Sequence, residues 1–290
     1  MHEIEAKSIL SARNGMNVYR GCTHGCIYCD ARSLCYGMEH AFEDVAVKRS
    51  APALLEDALR RRRARCMIGT GAMSDPYQPL EDETRLTRRC LEVIERYGFG
   101  AAIQTKSDRV LRDLDLLTAI HRKAKCVVQM TLTTYDEALC RILEPNVCTT
   151  RQRFETLCAL RDSGIPTVVW LSPVLPFLTD TEENLRGILG YCFAAGVRGI
   201  VCFGMGVTLR AGDREYFYRK LDAHFPGMKE RYIRAYGTSY ECASPREAEL
   251  MAILRRECAA HGVLCEVDEV FAYLHAFDDP HAGEQMSLFD

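Results

Sequence analysis

Apolar and polar positions alternate in blocks along this chain, and the blocks switch between helical and strand spacing. Residues 52–65 place Leu54, Leu55, Ala58 and Leu59 on one side and close on four arginines. That pattern predicts a helix whose negative end meets cations. The apolar run 66–71 predicts a buried strand that leads into the polar turn Ser74-Asp75-Pro76-Tyr77-Gln78-Pro79. Helices are then expected over 83–97, 108–121, 150–163 and 181–195, alternating with strands over 101–105, 126–132, 167–172 and 199–203. With 17–20 counted as the first, there are six strands. Strands separated by helices build right-handed crossovers on a parallel sheet. The expected class is α/β, a partial (β/α)6 TIM-type barrel over residues 1–205.

Beyond Phe203 the pattern turns helical, over 213–224, 226–236 and 245–261, with a short closing strand at 263–267. Residues 206–277 are expected to form a helical C-terminal extension of the same domain, and 278–290 a flexible polar tail. The longest apolar stretch, 165–178, is interrupted by Pro166, Pro173 and Pro176, so no membrane association is expected. The start lacks a basic region followed by an apolar segment. Fifteen cysteines are an odd number, and most stand singly inside apolar runs, as reduced buried thiols do. A reducing, cytoplasmic setting is expected. The formal net charge of −3 gives no general attraction to nucleic acid.

Three cysteines depart from that scatter. Cys22, Cys26 and Cys29 stand at C-x3-C-x2-C in a loop with two glycines. Thiolates ligate iron–sulfur clusters, and three are one short of what a cubane needs, which leaves one iron open. The spacings Cys140–Cys148 and Cys258–Cys265 form no comparable set, so one cluster is expected. In parallel barrels, functional residues gather at the C-terminal ends of strands. That rule selects Ser74 and Asp75, Thr105 and Lys106, Thr131 and Thr133, and Ser172. A lysine among hydroxyls suits a ligand carboxylate. The alternative stays open that Ser74 and Lys106 cap the helices that follow.

The run Gly21-Cys22-Thr23-His24-Gly25-Cys26-Ile27-Tyr28-Cys29 resembles the motif of the radical S-adenosylmethionine superfamily. Ser74-Asp75-Pro76-Tyr77-Gln78-Pro79-Leu80-Glu81, Thr105-Lys106-Ser107 with Arg112-Asp113, Leu143-Glu144-Pro145 and Gly164-Ile165-Pro166 follow in order. Together they resemble the spore photoproduct lyase-like branch. The resemblance implies that Cys22, Cys26 and Cys29 hold a [4Fe–4S] cluster whose open iron binds S-adenosylmethionine. It further implies reductive cleavage of that cofactor and hydrogen abstraction from a substrate, fed by an external electron donor of the flavodoxin or ferredoxin type. Lys106 would meet the cofactor carboxylate, Ser74 and Thr131 its amino-acid or ribose portion, and Tyr28 would pack near cluster and adenine. Ser172 stands where the lyase has an alanine at the adenine.

The resemblance also implies a nucleic acid lesion or modified base as substrate. A peptide or small metabolite is the second reading, and a non-catalytic iron–sulfur redox sensor the third. Ala72 stands where the lyase carries its hydrogen-donating cysteine, so no residue is assigned as catalytic. Cys35, Cys242, Tyr236 and Tyr240 are the alternatives for a donor or relay. Gln285-Met286-Ser287-Leu288-Phe289 resembles the short peptide with which bacterial DNA-processing proteins dock on the sliding clamp.

Overall fold

The computed structural model describes residues 1–277. The tail and its Gln285–Phe289 peptide lie outside the described residues. Six parallel strands pair in chain order: β1 Gly15–Met16, β2 Met67–Thr70, β3 Gly100–Thr105, β4 Cys126–Thr131, β5 Thr167–Trp170 and β6 Gly199–Val201. Helices on the connections cover the outside, and the barrel stays open between β1 and β6. Every residue of β4 is buried, because both faces of a parallel sheet are covered.

Alternate strand positions go to different partners. Ile68, Ile103, Val128, Val169 and Ile200 pack in the large cluster with the outer helices. Met67, Ala102, Val127, Val168 and Val201 instead meet Val270 and Leu274 of the helix Val267–His275. That last helix fills the inner face of the sheet. The expected strand at 263–267 reduces to Leu264, which bridges Gly199.

Three expectations need correction. The first barrel strand is Gly15–Met16, not 17–20. Tyr19–Arg20 leave the sheet and pair antiparallel with Ala46–Val47, in a small sheet completed by His2–Glu3. The helix expected over 83–97 is broken at Arg85, whose φ is +47°. The carboxylate of Glu81 accepts the amide of Thr87, so a new helix, Leu86–Arg96, starts after the break. The extension is also not all helical. Gly206–Thr208 and Glu241–Ala243 form an antiparallel pair around the helices Asp213–His224 and Met228–Tyr236. Three-residue strands this far apart leave no periodic trace. Among the described residues no helix is long and apolar enough to cross a membrane.

Asp213, which opens the helix Asp213–His224, gives a pH-dependent signal. One of its oxygens accepts the amide of Arg210 at 2.6 Å, while Oδ2 is buried without a partner. Burial raises its acid to about 6, against about 3.9 in an unfolded chain. Ionised Asp213 therefore weakens the fold above pH 6, and this penalty fades as pH falls from 6 towards 4. Asp213→Asn removes that dependence. The difference in thermal midpoint, variant minus wild type, is expected to be more positive at pH 7.5 than at pH 5. An identical difference at both values would show that Asp213 does not titrate this way.

Candidate active site

The cysteine loop is held from three sides. Gly21 has φ +94°, and a Cβ there would lie 2.4 Å from the carbonyl oxygen of Phe42, so only glycine fits. The same carbonyl accepts the amide of Cys22 at 3.1 Å. Gln78, fully buried, donates to the Gly21 carbonyl and accepts the amide of Thr23. On the far side, Ile27 N donates to Leu143 O at 3.0 Å, and Asn146 Nδ2 to Thr23 O at 2.9 Å. Gln78 and the Leu143–Asn146 turn thus act on the cysteines from distant parts of the chain.

Asp75 ties the ends of β2 and β3 together. Its carboxylate accepts the Thr105 hydroxyl at 2.7 Å, the Lys106 amide at 2.7 Å and the Tyr77 amide at 2.8 Å. Gly71 permits this approach, since a Cβ there would sit 1.9 Å from Gln104 O. Other pieces of the shared pattern are scaffold. Arg112 bridges Glu81 at 3.0 Å and Asp113 at 2.8 Å, and Tyr77 donates to Asp113.

A buried network that the sequence did not reveal backs the cavity. Glu144 and Arg153 form an ion pair with both side chains fully buried. Tyr28 donates its hydroxyl to the same carboxylate, and Thr133 does so at 3.3 Å. Arg153 also donates to the carbonyls of Thr131 at 2.9 Å and Cys148 at 3.0 Å. Burial pushes the Glu144 acid up, but Arg153 and Lys106 hold it below the usual range. Glu144 was visible in Leu-Glu-Pro. Its partner nine residues on carried no recognisable signal.

The eight residues read as cluster or cofactor ligands line one cavity of about 620 Å³: Cys22, Cys26, Cys29, Tyr28, Ser74, Lys106, Thr131 and Ser172. Of the other strand-end residues expected there, Asp75 and Thr105 line it too, whereas Thr133 turns to Glu144 instead. That is the size of a cofactor site. Ser74 caps no helix. Its hydroxyl donates to Tyr19 O at 2.9 Å, which leaves its lone pairs for a ligand. Lys106 places Nζ 5.8 Å from the Tyr28 ring centre and, among the described residues, has no carboxylate in contact. Ala72 lines the cavity, as expected of the position that replaces a cysteine. Of the four donor or relay alternatives, Cys242 and Tyr240 reach the cavity, whereas Cys35 and Tyr236 do not. The far wall comes from Phe203, just past β6, and from the extension through Thr208, Cys242 and Glu247.

The donor set fits an iron–sulfur cluster. Burial and the Asp75 carboxylate push the Cys22 thiol up to about 12, and burial likewise raises Cys26 and Cys29. Two buried thiols and one half-buried one, all facing one cavity, give up their protons readily only to a metal. Among the described residues, the groups that bring three ligand atoms within 4.8 Å of one another do not include this triplet. Its sulfurs are thus set wider than a single ion needs.

Residues 16–189 match the family model of the Radical SAM superfamily. The uncharacterized protein Rv2578c of Mycobacterium tuberculosis is 33% identical over 252 residues, covering 81% of this chain and 73% of that protein. The uncharacterized protein MJ0683 of Methanocaldococcus jannaschii is 32% identical over 183 residues, covering 62% and 67%. Among solved structures, a spore photoproduct lyase mutant with bound AdoMet and dinucleoside spore photoproduct superposes with a TM-score of 0.61. Its identity is 15%, with 86% of this chain and 74% of the lyase covered. The chain therefore belongs to the radical SAM superfamily and is an enzyme built on the fold of spore photoproduct lyase.

Proposed function

We propose that the protein holds one [4Fe–4S] cluster on Cys22, Cys26 and Cys29 and binds S-adenosylmethionine in the same cavity. Its proposed substrate is a nucleic acid lesion or modified base. When bound, cluster and cofactor supply a carbon radical that removes hydrogen from the substrate. The observation that carries this reading is the convergence of all eight residues on a single cavity. Among the described residues Lys106 has no carboxylate partner, so its ammonium is available to a ligand carboxylate, and Thr131 and Ser172 bring hydroxyls to the same cavity. Tyr28, anchored by Glu144, presents a ring face to the same space. All fifteen cysteines are free, which supports a reducing, cytoplasmic setting.

The rim supports the nucleic acid reading. Phe203 is 62% exposed and Tyr240 42%, and the Arg210 guanidinium lies 4.7 Å from the Tyr240 ring centre. Exposed ring faces beside a guanidinium suit an extruded base. The lyase structure holds a dinucleoside. Glu241 and Glu247, carboxylates on the far wall, favour the second reading, a cationic peptide or small metabolite.

The test begins with anaerobically reconstituted protein, expected to carry about four irons per chain. After reduction by a flavodoxin or ferredoxin, it should convert S-adenosylmethionine to 5′-deoxyadenosine and methionine. No product from a full, reduced cluster would overturn the catalytic assignment. Deuterium passed to 5′-deoxyadenosine from labelled damaged oligonucleotides supports the leading substrate. Transfer from labelled cationic peptides alone replaces it with the second.

A further inference from the structure

A second group of metal-binding side chains stands apart from the cavity. His2, His40 and Asp44 each bring a ligand atom to within 4.8 Å of the other two. Three observations make this more than a surface ion pair. First, the backbone holds two of the three in place. His2 lies on the strand His2–Glu3, in parallel register with Ala46, and its amide donates to Val45 O at 3.1 Å. Asp44 N donates to Ala41 O at 2.9 Å, closing the turn that carries the carboxylate.

Second, the imidazoles are oriented for a common ligand. The two rings meet edge to face, with centres 4.6 Å apart. His40 places Nδ1 3.0 Å from the carbonyl of Ala41, an acceptor, so Nδ1 carries the proton and Nε2 keeps its lone pair. A backbone carbonyl in this role fixes the tautomer of metal-bound histidines. Third, the Asp44 carboxylate already holds one of the two imidazoles. Oδ1 meets the Met1 amine at 3.0 Å, while Oδ2 lies 3.0 Å from His2 Nδ1.

We propose that His2, His40 and Asp44 form a divalent transition-metal site, with zinc as the probe ion. Two imidazole nitrogens and one carboxylate oxygen are a common zinc set, with water filling the remaining positions. The ion takes the place of the hydrogen bond between His2 and Asp44, and both imidazoles bind it in their neutral form.

The position gives the site a role. The turn from His40 to Asp44 includes Phe42, whose carbonyl accepts the amide of Cys22. The Arg32 guanidinium lies 4.3 Å from the Phe42 ring centre on the same turn. An ion there clamps the strand His2–Glu3 to the turn that backs the cysteine loop. It acts as a brace and takes no part in electron transfer.

The reconstituted holoenzyme is dialysed anaerobically against micromolar zinc, and zinc and iron are counted for wild type, His2→Gln, His40→Gln and Asp44→Asn. Wild type should hold one zinc per chain more than each variant, at equal iron, and its thermal midpoint should rise with zinc where theirs does not. Zinc bound equally to all four proteins overturns the site. Because the chain offers many thiols, zinc absorption fine structure on the wild type gives an answer that needs no variant. A nitrogen and oxygen shell near about 2.0 Å supports the proposal, and a sulfur shell near about 2.3 Å overturns it.

Discussion

Cys26→Ala is expected to abolish conversion of S-adenosylmethionine to 5′-deoxyadenosine, a loss on the order of 10³-fold or more. Cys26 sits at the middle of the triplet, and its thiol is buried on the wall of the cavity. Removing it leaves two thiols where a cubane with one open iron needs three. Iron content and the cluster absorption should fall together with activity. Cys158→Ala makes the same chemical change on the helix Thr150–Asp162, away from the cavity, and should leave both unchanged. Full activity in the Cys26 variant would remove this triplet as the cluster site.

Arg153→Leu should produce the largest loss of stability, about 3–5 kcal/mol, because it strands a fully buried carboxylate. Replacing both partners, as Glu144→Leu with Arg153→Leu, should cost clearly less, since no charge is then left unpaired. Denaturant unfolding of the cluster-free protein measures both. Glu144 also anchors the Tyr28 hydroxyl beside Cys26 and Cys29. The reduced-cluster paramagnetic resonance spectrum of Glu144→Gln should therefore shift at full iron content. A loss below about 1 kcal/mol for Arg153→Leu would show that the pair does not hold the core.

Much of the barrel was legible because its signals are local. The strand at 126–132 is apolar apart from Gln129 and Thr131, and Cys126–Thr131 is buried throughout. The helix at 181–195 has Thr181 to begin it and Gly196, at φ +66°, to end it. The first strand was misplaced because two residues carry no period. Val18 and Tyr19 are as well buried as a barrel strand would be, but Tyr19 pairs with Val47 in the small sheet and not with the barrel strands. The motif pieces were recognised as a set, yet their roles were not evenly divided. Ser74, Lys106 and Thr131 face the cavity, whereas Glu81, Arg112 and Asp113 pair with one another beneath it.

The sequence by itself determined which thiols are the candidate ligands and how strands and helices alternate. Three thiols within eight positions of one loop must lie close together, and each strand or helix is written in its own residues. Tertiary structure alone decided what surrounds those thiols. Gln78 reaches the cysteine loop from 55 or more positions away, Asp75 ties two strand ends across 30, and Arg153 neutralises the carboxylate behind Tyr28. The far wall, with Cys242 and Glu247, belongs to a hairpin and helix that face the cavity only once the barrel has formed. Such contacts depend on how elements pack, and packing leaves no period in the chain to read.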